Sequence, residues 1–177
     1  KIFKKIWIQP ASGDAGGSLG SALSLWYNEF SNEREINKAD AMKGSYLGPK
    51  FDQKEIEERL TAISANFESL SEDKMILQTV EAIKKGQVIG WFQGRMEFGP
   101  RSLGNRSIIA DARSENMQKI LNLKVKNRES FRPFAPSILR DDLSNWFDLD
   151  CDSPYMLFIA NIKDNLKVEI NEHEKSF

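Results

Sequence analysis

A single cysteine, Cys151, and a single histidine, His173, stand among the 177 residues of this chain. One cysteine excludes an intramolecular disulfide and any cysteine-based zinc spacing. His173 lies in a charged tail, where exposure to solvent is the ordinary state, so a Ser–His pair within the chain has no support. No apolar run nears the ~18–20 residues that a membrane-spanning helix needs, and no membrane partner is expected. The opening Lys1-Ile2-Phe3-Lys4-Lys5-Ile6-Trp7 is basic and then apolar, but its apolar part is too short for a secretory signal. The cytoplasm is the expected compartment. An excess of one charge is lacking too: lysine plus arginine number 25, aspartate plus glutamate 26. That balance gives no support to non-specific binding to DNA or to an anionic membrane surface.

What is present reads as mixed α/β. Ile6-Trp7-Ile8-Gln9 predicts a short strand stopped by Pro10, followed by a glycine-rich turn over residues 11–17. Apolar residues at Leu19, Ala22, Leu23, Leu25 and Trp26 predict a helix over 18–30. Residues 31–48 lack periodicity and read as a linker. Asp52 is placed to cap a helix running to about Asn66, and a second helix over 73–85 should stop at Gly86. Val88-Ile89-Gly90-Trp91-Phe92 predicts a buried strand, and 94–104 a loop. A strand over 107–110, a helix over 115–123 and strands over 134–139 and 155–160 complete the expectation.

The arginines carry the chemistry. Seven of the nine fall between residues 95 and 140: Arg95, Arg101, Arg106, Arg113, Arg128, Arg132 and Arg140. Glycine lets backbone amides approach an anion, and arginine forks match phosphate or carboxylate oxygens. The same arginines could instead form structural ion pairs with Glu97, Asp111, Glu115 and Glu129, and composition alone leaves both readings open. Gly99 and Gly104 have P-loop spacing, but Asn105-Arg106 stands where the phosphate-cradling lysine belongs, so a P-loop is excluded. A second basic cluster, Lys124 to Pro136, mixes cations with Phe131 and Phe134. Nucleic-acid binding uses the same ingredients, yet the positive charge is local and the rest of the chain cancels it. A compact anion pocket is favoured over a nucleic-acid groove. Asp14 lies in the first glycine turn, where an aspartate on its own usually bonds its own backbone.

Three strings resemble a known family: Gln9-Pro10-Ala11-Ser12-Gly13-Asp14-Ala15-Gly16, Gly94 to Arg113, and Lys126 to Leu139. Within the second, Phe98-Gly99-Pro100-Arg101-Ser102-Leu103-Gly104-Asn105-Arg106-Ser107 differs from the usual family string mainly by serine at 102. The chain is similar to the carbamoyltransferases that include nodulation-factor, cephalosporin and tobramycin carbamoyltransferases. The resemblance implies an ATP-dependent O-carbamoyltransferase acting on carbamoyl phosphate and a small-molecule hydroxyl acceptor, such as a sugar or an antibiotic. It implies that residues 1–45 end an actin-like carbamoyl-transfer domain. Residues 46–177 would begin a mixed-sheet YrdC-like domain, incomplete here, that forms carbamoyl adenylate.

On the same comparison Lys126 and Arg132 are the expected catalytic residues. Arg101 is expected to hold phosphate, with Arg106 and Arg128 as weaker phosphate-binding candidates that could instead orient the loop. Asp14 matches a ligand of a divalent metal, iron or magnesium, whose histidine ligands belong to the preceding domain. Later family motifs are not in the chain, so a piece of a longer enzyme is expected, with a non-catalytic nucleotide- or RNA-binding module as the alternative. A half-domain exposes apolar surface where its missing strands pair, and self-association through that face is an expectation.

Overall fold

The computed structural model describes residues 6–36 and 39–168. It is mixed α/β, with five α-helices among the described residues and one small sheet of two antiparallel strands. The chain divides into two units, Lys1–Met75 with Gly90–Ile108, and Ile76–Ile89 with Ile109–Phe177.

In the first unit, α1 (Asp14–Ser24) begins four residues earlier than its apolar spacing suggests. The glycine run is helical because Gly16 has no side chain. A Cβ there would drive into the carbonyl oxygen of Ala11, which sits just outside the helix at φ +52°. The helix ends in one wider π-type turn, Leu25–Glu29. The expected strand over Ile6–Gln9 does not form. Trp7 is 77% exposed, and the segment has no strand partner among the described residues.

Helix α2 (Gln53–Ala62) is capped as its sequence requires, the Asp52 carboxylate accepting the Glu55 amide at 2.8 Å, but it ends four residues before the expected Asn66, just ahead of Ser64 at φ +54°. Helix α3 (Glu72–Lys84) closes on Gly86 at φ +75°. There the Gln87 amide bonds the Ala82 carbonyl and the Gly86 amide bonds that of Ile83, which satisfies two otherwise orphaned acceptors. Strand β1 (Ile89–Phe92) pairs with β2 (Arg106–Ile109), making a hairpin with a long loop. The stem extends one step further through the Gln93 amide and the Asn105 carbonyl. Contrary to expectation β1 is only half buried, its residues alternating between intermediate and exposed.

The second unit holds the three apolar side chains that are buried among the described residues, Met117, Leu121 and Leu143. Helix α4 (Met117–Ile120) runs into a π-type turn, Leu121–Val125, so the predicted helix over 115–123 forms two residues late. Helix α5 (Leu143–Trp146) follows. Two expected strands are absent. Pro136 removes a donor from within the 134–139 stretch and Pro133 one from just before it, and Met156 at φ +52° breaks the extended path of 155–160. The pairing that does form here is a single antiparallel bridge between Phe147 and Ile162.

Candidate functional site

The loop between β1 and β2 is built from the outside inward. Its entry strand lies along residues 45–50: the Gly48 amide bonds the Met96 carbonyl at 2.9 Å, and the Met96 amide bonds that of Pro49 at 2.9 Å. The Arg95 guanidinium donates to the Gly48 carbonyl at 2.7 Å. Gly48 is required at this approach, because a Cβ would lie 2.9 Å from the Met96 oxygen. Ser45, buried at φ +64°, accepts the Phe98 amide at 2.6 Å. The hydroxyl of neighbouring Tyr46 reaches across to donate to the Leu103 carbonyl at 2.8 Å.

At the centre lies Glu97, 3% exposed. Its Oε1 accepts the amides of Leu103 at 2.6 Å and Asn105 at 2.9 Å. Its Oε2 is buried without a hydrogen bond and lies 3.5 Å from Arg106 Nε. Burial, the largest single influence, pushes the carboxyl upward. The backbone amides, Leu103 and Asn105 foremost, together outweigh it and hold the group below the ordinary glutamate value. Arg106 also donates through Nη2 to the Gly99 carbonyl. Gly99 itself sits at φ +100°, where a Cβ would be 2.6 Å from the Cβ of Ala11. The first glycine turn and the arginine loop, two of the three family-like strings, therefore meet at Ala11 and Gly99.

Six of the seven clustered arginines are engaged. Arg95 and Arg106 hold backbone carbonyls, as above. Arg113 forks onto Asp111, whose carboxyl that hydrogen bond brings down to about 2. Arg132 pairs with Glu129 at 3.1 Å, and Arg140 pairs with Asp152. Arg128 donates to Asn122 Oδ1 at 2.7 Å and lies 4.9 Å from the centre of the Phe134 ring. Arg101 is different. It is exposed, and it makes no hydrogen bond or ion pair among the described residues. The backbone amides of Arg101 and Ser102 are likewise without partners there. The ion-pair reading thus holds for four of the seven, Arg106, Arg113, Arg132 and Arg140, and Arg101 is left without a partner among the described residues.

The second basic cluster is organised by Asn122, which is fully buried. Its Nδ2 donates to the carbonyls of Ser130 at 3.0 Å and Arg132 at 2.8 Å. Gln118 adds bonds to the Phe131 and Arg132 carbonyls at 3.1 Å. Lys126 follows the π-type turn, exposed, with no side-chain partner among the described residues. The structure brings Arg128 and the backbone of Arg132 together through Asn122, in the second unit. Asp14, Arg101 and Arg106 belong to the first. Sequence reasoning took Glu97 only as an ion-pair partner and passed over Asn122 and Tyr46. A lone acid inside a three-glycine loop was the one available signal.

Asp14 opens α1 with its side chain exposed. Among the described residues no three His, Cys, Asp or Glu side chains gather in a group that could hold a metal. These residues do not by themselves compose the metal site that the resemblance implies. Among the described residues no helix is long and apolar enough to cross a membrane.

Known proteins place these elements in a family. The chain is 51% identical to the uncharacterised protein sll1178 of Synechocystis over 99% of its own length and 29% of that protein's. It is 40% identical to nodulation protein NolNO of Sinorhizobium fredii, over 93% of this chain and 24% of the relative. With the 3'-hydroxymethylcephem-O-carbamoyltransferase of Streptomyces clavuligerus it shares 32% identity, over 97% of this chain and 30% of the relative. The chain thus spans less than a third of the length of each of these relatives. A family model described as carbamoyltransferase C-terminus matches residues 80–174, which include the whole arginine loop and the whole second cluster. That match takes in more than half of the sequence, and the chain belongs to the carbamoyltransferase C-terminus family.

Proposed function

We propose that this chain is part of an ATP-dependent O-carbamoyltransferase and contributes to the site that makes carbamoyl adenylate from carbamoyl phosphate and ATP. The observation that carries the reading is Arg101. In a cluster whose other arginines are all engaged, it alone is exposed and unpaired among the described residues, on a loop with free amides beside it. A free guanidinium with adjacent amides is chemistry for phosphate oxygens, and transfer at phosphorus or at a carbamoyl carbon depends mainly on positioning and charge stabilisation.

Lys126 and Arg132 are proposed for the same class of ligand, Lys126 as the free ammonium and Arg132 after exchange of its exposed pairing with Glu129. Arg106 and Arg128 are assigned to shaping their loops, consistent with their contacts to Gly99, Glu97 and Asn122. Residues 1–45 are proposed to end an actin-like carbamoyl-transfer domain and 46–177 to begin a YrdC-like one. Asp14 would then supply one ligand of a metal completed by other parts of the enzyme. The acceptor is a small-molecule hydroxyl, and the setting is the cytoplasm.

Calorimetric titration with carbamoyl phosphate and with ATP tests the reading. Arg101→Ala should weaken binding about tenfold or more, the scale of one lost charge-assisted bond. Arg113→Ala, whose guanidinium is held by Asp111, should leave binding nearly unchanged. Equal effects of the two substitutions would overturn the assignment.

A further inference from the structure

We infer that Glu97 is a positioning residue: it fixes the span on which Arg101 meets its anion, without touching the anion itself. The inference rests on the anion-binding reading of Arg101 given above. Gly99 and Leu103 flank Arg101 at two residues on either side, and both are tied down. Gly99 is held through its carbonyl by Arg106, which faces the Glu97 carboxylate at 3.5 Å. Leu103 is held through its amide by Glu97 Oε1 and through its carbonyl by Tyr46. Residues 99–103 thus form a short arch with both feet anchored, and its exposed stretch is Pro100, Arg101 and Ser102.

The anchoring group is a carboxylate for a specific reason. A glycine-rich loop prepared for anions offers several amides, and phosphate oxygens would compete for all of them. Glu97 occupies two, those of Leu103 and Asn105, with its own negative charge. An incoming phosphate is left with the unpartnered amides of Arg101 and Ser102 and with the Arg101 guanidinium. Remove the carboxylate, and the Leu103 and Asn105 amides open as a rival site two to four residues along the chain. Binding would then continue weakly but lose its dependence on Arg101. A residue that merely stabilised the fold would weaken the protein without changing which side chain the anion uses.

The test is a double-mutant cycle on the full 177-residue chain, read by calorimetry with inorganic pyrophosphate. The variants are Arg101→Ala, Glu97→Gln, Glu97→Ala and the two combinations. Glu97→Gln keeps an acceptor for the two amides and guards against outright unfolding in the alanine variant. Amide exchange in α2 and α3 reports whether each variant is folded. In the wild-type background Arg101→Ala should weaken pyrophosphate binding about tenfold or more. In the Glu97→Ala background it should cost less than about threefold, with Glu97→Gln between. If Arg101→Ala costs the same factor in every background, the two residues act independently and the positioning role falls while the anion reading survives. If the wild-type chain shows no Arg101-dependent binding at all, the anion reading fails and this inference fails with it.

Discussion

Asn122→Ala is the substitution whose cost can be worked out most fully. The amide is fully buried and makes three side-chain bonds: two from Nδ2 to the Ser130 and Arg132 carbonyls, and one accepted by Oδ1 from Arg128 Nε. Neutral bonds contribute about 1 kcal/mol each and a bond to a charged group about 1.5–3, so the sum is roughly 3.5–5 kcal/mol. Two features reduce it. The Arg132 carbonyl keeps its bond from Gln118 at 3.1 Å, and Ser130 is exposed enough for water to replace its lost donor. A loss of about 2–4 kcal/mol is expected. Asn122→Asp sharpens the test because it preserves shape and the acceptor for Arg128. It also turns a second carboxylate oxygen toward two carbonyl oxygens at 2.8 and 3.0 Å, and should be no more stable than the alanine variant at neutral pH. Urea unfolding followed by tryptophan fluorescence gives both numbers, provided the m-value holds constant. A loss below about 0.5 kcal/mol for Asn122→Ala, or an aspartate variant as stable as the wild type, would refute the network argument.

Three further outcomes follow from single features. Gly99→Ala places a Cβ 2.6 Å from that of Ala11 at φ +100°, and should destabilise the chain by about 1–3 kcal/mol in thermal unfolding. Asp52→Ala removes the cap of α2 and should cost about 1 kcal/mol, with increased amide exchange confined to its first turn. Asp111 should titrate near 2 by carboxyl NMR, and Arg113→Ala should return it toward its ordinary value of 3.8. Because the folded value is depressed, the pairing stabilises the chain above about pH 3.8 and is lost as pH falls through about 2.

Helices α2 and α3 were legible because their determinants are local: an aspartate one residue before the first turn, a glycine just past the last, and apolar residues in register. The two strands were legible for the same reason, as β-prone runs either side of a glycine-rich stretch, but their pairing with each other was not. The missing strands over 134–139 and 155–160 show the limit. Their apolar residues suit a sheet, but Pro136 already argued against the first, and a strand exists only where a partner supplies its hydrogen bonds, which no local pattern reports. The arginine cluster obeys the same division. Its density and its local pairs, Arg113 with Asp111 and Arg132 with Glu129, are visible in the string, whereas other guanidiniums are occupied by groups farther along: Arg95 by the Gly48 carbonyl, 47 residues distant, and Arg140 by Asp152. A cation-rich string becomes a candidate site only after those internal partners are subtracted. In the arginine loop the subtraction leaves Arg101. The buried carboxylate of Glu97 shares that loop and takes up Arg106 and the amides of Leu103 and Asn105, so these groups are subtracted with the rest.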